Sequence, residues 1–458
     1  MAVNSNSERL GQEKILKLLF KLSVPSIIGM STQALYNVVD SIYVGRSSQE
    51  ALSALSLAFP IQIVLIAIAV GTGIGTSSLI SRLLGEGEEN RANEVAEHTV
   101  IIILFYGIIV GLIGYFYSDN LIRLFTSEQV LIEMGTSYIR IMLIGSIALF
   151  YPMIANNILR GEGNTFVPML GLVVGGVLNI IIDPFLIFGI GIFPELGIEG
   201  AAIASIFSKF VGGVLISLIL FSPKTQVKFN FKDFKFDFEI IKEIYEVGLP
   251  AMVMQLLSSV MIAVMNIIVG GFSTVAIAVA GIYFRLQSFF FMPIFGLGQA
   301  YMPILGYNYG HKNPKRMKKT IKYGLLLSSV FTGAGFVIFQ LFPRELILLF
   351  NDTPELLEIG EVALRRISLA FPVIGPAIIA STTFQALGKG IPSLVLSFLR
   401  QIILLLPIMY LLGQLYSLDV LWFAFPISEI ISAILILFWL TATLREIFTR
   451  MKNEREGL

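Results

Sequence analysis

Four side chains in the first half of this chain have the chemistry to hold a proton or a bare cation inside a membrane. Asp40, Asn179, Asp183 and Ser205 supply two carboxylates, an amide and a hydroxyl, the oxygen donors that a hard cation such as sodium takes. The same two acids could instead share one proton, because like charges held close together do not both ionise readily. The chain has no cysteine, and its two histidines, His98 and His311, fall at the ends of apolar runs. Thiolate chemistry is therefore excluded, and no histidine relay is available within the apolar segments. No metalloprotease motif, nucleotide-binding motif or nucleophile elbow is present, so neither an enzyme nor an organic cofactor is expected. The ligands these residues themselves point to are a proton or a sodium ion.

Asp40 ends a polar stripe. Ser26, Gln33, Asn37 and Asp40 recur at helical spacing near one face of an otherwise apolar segment. Such a stripe cannot face lipid and must face protein or water. Pro25 in the same segment lacks a backbone donor, which predicts a kink or hinge. Asn179 and Asp183 are four residues apart and share a helix face, and Pro184 leaves the carbonyl of Ile180 free for another partner. Ser205 lies a few residues into the next apolar run. At ~1.5 Å per helical residue, all four candidates fall within one or two turns of the same depth.

The elements that must position them are membrane spans. Of the 458 residues, 55% are hydrophobic and 14% charged, and apolar runs of ~20 residues or more recur throughout. Twelve are read, at roughly 17–44, 52–81, 95–117, 132–158, 165–188, 199–221, 241–270, 274–307, 320–342, 358–386, 391–412 and 420–443. They do not alternate as β-barrel strands do, and the first is too long and too polar for a signal peptide. A net charge of +1 argues against nucleic acid as a partner. Of the 32 Lys and Arg, 23 fall on one side of this arrangement and three (Arg46, Arg123 and Arg344) on the other. Basic loops stay in the cytoplasm, so both termini are expected there, with the chain a multi-pass protein of a prokaryotic plasma membrane.

Residues 15–140 recur at an offset of 225: Pro25 with Pro250, Gly45 with Gly270, Gly71 with Gly296, Arg91 with Arg316, Arg140 with Arg365. A fixed offset over so long a stretch marks an internal repeat. Six spans per copy is an even number, so the copies insert in the same sense and are related by an axis along the membrane normal. The expected fold is an all-α membrane protein: twelve transmembrane helices in two six-helix lobes with pseudo-two-fold symmetry. The lobes comprise 1–221 and 241–458, joined by a solvated connector at 222–240, with a substrate cleft between them. Only the first copy keeps the acids, since Asp40 aligns with Met265 and Asp183 with Ile408. The second lobe is expected to bury Gln255, Arg285, Arg400 and Glu429, the last two as an ion pair. Met153 and Met169, among several methionines near the expected cleft, would suit varied ligands. Gly71-Thr72-Gly73-Ile74-Gly75 lacks the Gly-Lys-Ser/Thr ending of a phosphate loop and reads as close helix packing.

The stretch Leu22–Pro60, "LSVPSIIGMSTQALYNVVDSIYVGRSSQEALSALSLAFP", resembles the opening of the multidrug and toxic compound extrusion (MATE) family. So do "ILRGEGN" at 158–164, "LNIIIDPFLIFG" at 178–189 and "GIEGAAIAS" at 197–205. The first-half motifs look like the DinF-type branch, and the resemblance covers the whole chain. It implies export of organic compounds, often cationic, in exchange for inward protons or sodium ions. It further implies a cation site at Asp40, Asn179 and Asp183 with a hydroxyl at Ser205, and a first-lobe substrate cavity to which Gln33, Tyr36, Asn37, Met153, Asn156 and Met169 are assigned. The second half departs from the NorM-like branch, which has acids where this chain has Gln255 and an acid-free tenth span. A flippase for a lipid-linked precursor shares the architecture but would be expected to show a markedly basic cavity. A channel would be expected to build its pore from several subunits, whereas this chain supplies both lobes and is expected to act as a monomer.

Overall fold

The computed structural model describes residues 6–456, and every regular element among them is helical. The terminal residues 1–5 and 457–458, which open the first predicted lobe and close the second, lie outside the described residues. A short helix α1 (Asn6–Gln12) precedes α2 (Ile15–Ser47), α3 (Gln49–Glu86), α4 (Glu89–Arg123), α5 (Gln129–Ile144), α6 (Ser146–Gly161), α7 (Phe166–Phe188) and α8 (Gly197–Leu220). The second half comprises α9 (Phe238–Gly270), α10 (Thr274–Gly310), α11 (Pro314–Leu341), α12 (Pro343–Leu348), α13 (Pro354–Ser368) and α14 (Phe371–Ala386). It continues through α15 (Gly390–Phe398), a π-helical stretch Leu399–Leu405, α16 (Leu406–Leu415), α17 (Leu418–Leu421) and α18 (Ala424–Glu456). With the bent pairs α5–α6 and α13–α14 each counted as one span, 12 membrane spans result, matching the twelve apolar runs. Large apolar side chains such as Ile108, Leu112, Tyr115 and Phe116 on α4 are exposed, as a surface bathed in lipid rather than water would be.

The repeat is visible in local detail. Ser48 caps α3 by accepting from the amide of Ala51, and its equivalent Ser273 caps α10 by accepting from Ala276. The fourth span of each copy breaks at the same place: α5–α6 bends by 49° around Gly145 and α13–α14 by 50° around Leu369–Ala370. Neither Pro25 nor Pro250 interrupts its helix, since α2 and α9 each run 33 residues through the proline.

The two lobes share one apolar core at the end carrying the basic loops. There Leu18, Leu19, Leu83 and Leu159 of the first copy pack in one cluster with Leu297, Ile304, Leu305 and Ile379 of the second. Toward the opposite end each lobe has its own core, one around Ile103, Ile139 and Phe150 and one around Tyr283, Phe371 and Trp422. The lobes are therefore packed together through a shared core at the basic end, and each has a core of its own toward the other.

Small residues make that packing possible. A Cβ on Gly71 would lie 2.9 Å from the amide nitrogen of Met252, and one on Gly75 would lie 3.0 Å from the carbonyl carbon of Ile244. The Gly-Thr-Gly-Ile-Gly run is thus a helix-packing surface between α3 and α9, as its sequence context predicts. Beside it, Thr72 and Tyr106 both hydrogen-bond the Tyr245 hydroxyl, and Arg91 pairs with Glu243. The Ser78 hydroxyl donates to the carbonyl of Gln385 at 2.5 Å. The turn after α1 is held under the second lobe, where Arg316 donates to the carbonyls of Leu10 and Glu13, each at 2.9 Å.

The connector between the lobes is largely exposed, with Lys224, Lys228, Lys232, Lys235, Asp233 and Asp237 all at the surface, yet its backbone is tethered to the first lobe. Its backbone N–H groups need acceptors, and the first lobe supplies them. Gln226 and Val227 donate to Glu162 at 2.9 and 3.2 Å, Lys228 to Asn93 at 2.7 Å, and Asp237 to the His98 ring at 2.8 Å. Burial pushes the Glu162 carboxyl up to about 7, against the opposing pull of these two backbone donors and Lys228. Because the folded value is raised, the group's stabilising contribution is complete below the ordinary 4.5 and is lost as pH rises through about 7. A difference of that size corresponds to about 3 kcal/mol. Glu162→Gln keeps an acceptor without the charge. The variant is expected to melt above wild type at pH 8 and to lack the wild-type decline between pH 4.5 and 7. Parallel melting curves across that range would remove the assignment.

Candidate cation site and inter-lobe cleft

Glycines on α7 draw the site together. A Cβ on Gly176 would lie 2.9 Å from Thr32 and 3.0 Å from Tyr36 on α2, and one on Gly175 would lie 3.2 Å from the Ser208 carbonyl on α8. With α2 and α8 this close to α7, Asp40 and Asp183 come near enough to act on each other's charge. The Asn179 amide donates to Asp183 Oδ1 at 2.9 Å. Asp183 is fully buried, and Asn179 and Ser205 are nearly so.

The site is rich in acceptors and poor in donors. Asp40 Oδ1, Asp183 Oδ2, Asn179 Oδ1 and Asn156 Oδ1 are enclosed yet accept no hydrogen bond from protein. Buried polar atoms are ordinarily satisfied, so such a cluster suits a species that brings positive charge or a proton. The donor set fits a monovalent cation or a proton. It does not suit a divalent cage, because no group of three or more His, Cys, Asp or Glu gathers among the described residues.

Gln33, Tyr36, Met153, Asn156, Asn179 and Ser205 line one narrow space in the first lobe. Two residues assigned to this cavity stand apart from it. Asn37 is exposed at the margin of the α2 stripe, and Met169 lies beside Gly29, where α7 passes α2. One ionisable lining residue was not among the predicted site residues: Lys209 of α8 faces the same space and is electrostatically coupled to both Asp40 and Asp183. Its signal was present, since it follows Ser205 by one helical turn and an ionisable residue inside a span is functional by default.

The second lobe differs from expectation. Gln255 and Arg285 are exposed, not buried. Arg285 lies two helical turns from Met292, which touches Ser31 of α2, so it occupies the same stripe of α10. Arg400 and Glu429 do pair, at 3.3 Å, with side chains 26% and 12% exposed. Arg400 sits in the π-helical stretch. Arg400→Ala is expected to destabilise the protein by about 3 kcal/mol, because it leaves a mostly buried charge without its partner, while adding Glu429→Ala should restore much of that loss. Equal melting temperatures for wild type and both single variants would exclude a stabilising role for the pair.

An all-helical membrane protein with a two-fold repeat and an acidic pair in one of its halves has the build of a transporter. The MatE family model matches residues 25–185 and 250–411, one match per repeat, each beginning at the paired proline. The chain belongs to this family, the MATE transporters. It is 28% identical to the "FAD transporter" of Shewanella oneidensis, over 91% of this chain and 92% of that one. It is 26% identical to the "Multidrug export protein MepA" of Staphylococcus haemolyticus, over 93% of each. A solved structure described as the outward-facing conformation of a multidrug resistance MATE family transporter superposes with a TM-score of 0.90 at 29% identity. That superposition covers 98% of this chain and 99% of that one.

Proposed function

We propose that this chain is a secondary antiporter that exports organic compounds from a prokaryotic cell in exchange for inward H+ or Na+. It acts as a monomer in the plasma membrane, with both termini in the cytoplasm. Asp40 and Asp183, with Asn179 and Ser205, take up the coupling ion from outside. Substrate occupies the first-lobe space lined by Gln33, Tyr36, Met153 and Asn156 and leaves through the cleft. The lobes then close at the outer end and part at the basic end, and the ion is released inward. Pro25 gives α2 a place to bend at low cost as the ion binds. The observation that carries this reading is the buried Asp40–Asp183 pair, present in one repeat and replaced by Met265 and Ile408 in the other. Coupling by an ion requires a group whose charge changes inside the membrane, and this pair supplies it. The test is efflux of a panel of fluorescent organic compounds from proteoliposomes under imposed pH or sodium gradients. Efflux driven by either gradient supports the reading, and efflux indifferent to both removes it.

A further inference from the structure

Lys209 has no role in the scheme above, yet it stands at its centre. It lines the same narrow space as Asn179 and Ser205, one turn along α8 from Ser205. Asp40 and Asp183 act on it electrostatically, but it forms neither a hydrogen bond nor an ion pair within 4.0 Å among the described residues. A fixed structural salt bridge is thus absent. The side chain is a compact ammonium on a flexible four-carbon stem, close to the carboxylates and not bonded to them. The other titratable groups facing the pair are Tyr36 of α2 and Tyr138 of α5, neither of which is a cation.

We propose that Lys209 is a tethered cation that excludes sodium from the Asp40–Asp183 site, so that the proton is the only coupling ion. This rests on the antiport reading above for its role in transport, but not for the binding behaviour it predicts. Two carboxylates and one ammonium leave a single net negative charge. Sodium must gather several oxygen ligands around itself beside a like charge that the protein has already put there. Inside the protein, where charges are weakly screened, that repulsion weakens binding of a second monovalent cation on the order of tenfold to a hundredfold. A proton meets less resistance, because it bonds to one carboxyl oxygen, needs no coordination shell and brings the trio to neutrality. Removing the ammonium while keeping the side-chain length leaves two carboxylates, an amide and a hydroxyl with no resident cation, which is a sodium site.

The experiment compares thermal unfolding of the detergent-purified full chain in sodium chloride and in choline chloride at equal ionic strength. Wild type is expected to melt at the same temperature in both. Lys209→Met is expected to gain a saturable stabilisation specific to sodium, which a further Asp183→Asn change removes. Lys209→Arg, which retains the charge, is expected to stay insensitive. Sodium-specific stabilisation of wild type that is lost in Asp183→Asn overturns the proposal, as does a Lys209→Met protein no more responsive than wild type. Should Lys209→Met fail to fold, Lys209→Gln takes its place and the wild-type arm remains decisive. In proteoliposomes a proton gradient is expected to drive efflux and a sodium gradient is not, so sodium-driven efflux by wild type also overturns it. If neither gradient drives efflux, the antiport reading fails, and the melting comparison still judges Lys209.

Discussion

Asp40→Asn is expected to reduce gradient-driven efflux to the leak of empty liposomes while the protein inserts and purifies as wild type does. Asparagine preserves the shape of the carboxyl group and its place on the α2 stripe, but it cannot take up or release a proton or carry the charge that attracts a cation. Folding has little to lose, since the change removes a partly buried acid whose Oδ1 accepts no bond from protein. Asp183→Asn is expected to behave alike, because the two carboxyls face each other and work as one site. The double variant should then be little worse than either single one, as strongly coupled residues are not additive. Wild-type efflux in either single variant would sink the assigned role. Two partial defects that multiply in the double variant would mean separate sites.

Gly75→Leu is expected to abolish transport for a different reason, by opposing closure of the basic end. In the observed state residue 75 has backbone on its open side: a Cβ there would lie 3.0 Å from the carbonyl carbon of Ile244 and 3.1 Å from the amide nitrogen of Gly248. A helix backbone cannot yield as a side-chain tip can, so a leucine must push α9 away from α3. Overpacking of this kind costs about 3 kcal/mol or more where the surroundings are rigid. In the proposed cycle that cost falls only on the state in which the lobes meet at the basic end. The populations therefore shift toward the opposite state on the order of a hundredfold. The chain contains no cysteine, so a single cysteine placed at Leu297, inside the shared core, can report the shift. Maleimide should label it from the cytoplasmic side faster in the Gly75→Leu background than in its absence. Unchanged labelling in folded protein would show that the Gly75 contact does not gate this end, and wild-type efflux would remove the prediction altogether.

The amino-acid sequence by itself determined the twelve spans, the repeat and its offset and the candidate acids, because each is written along the chain itself. Span length follows from bilayer thickness, and residues share a helix face through a fixed 3.6-residue period. The offset of 225 even carried the serine caps and the broken fourth spans with it. Asn37 shows the margin of such reasoning: a stripe read at 3.6 residues per turn has a width, and its edge residue faced out of the cavity. Lys209 was legible by the same one-turn rule that links Asn179 to Asp183, and its neighbourhood of apolar residues hid it. What only the tertiary structure decided is how helices meet. Asp40 comes near Asp183 because glycines on α7 let α2 approach, the connector is tethered because its backbone donors found Glu162, Asn93 and His98, and Arg285 and Gln255 end exposed rather than buried. Contacts of this kind depend on the register and tilt between distant segments. Those are set by the packing of whole surfaces, and no local pattern of residues encodes the angle at which two lobes meet.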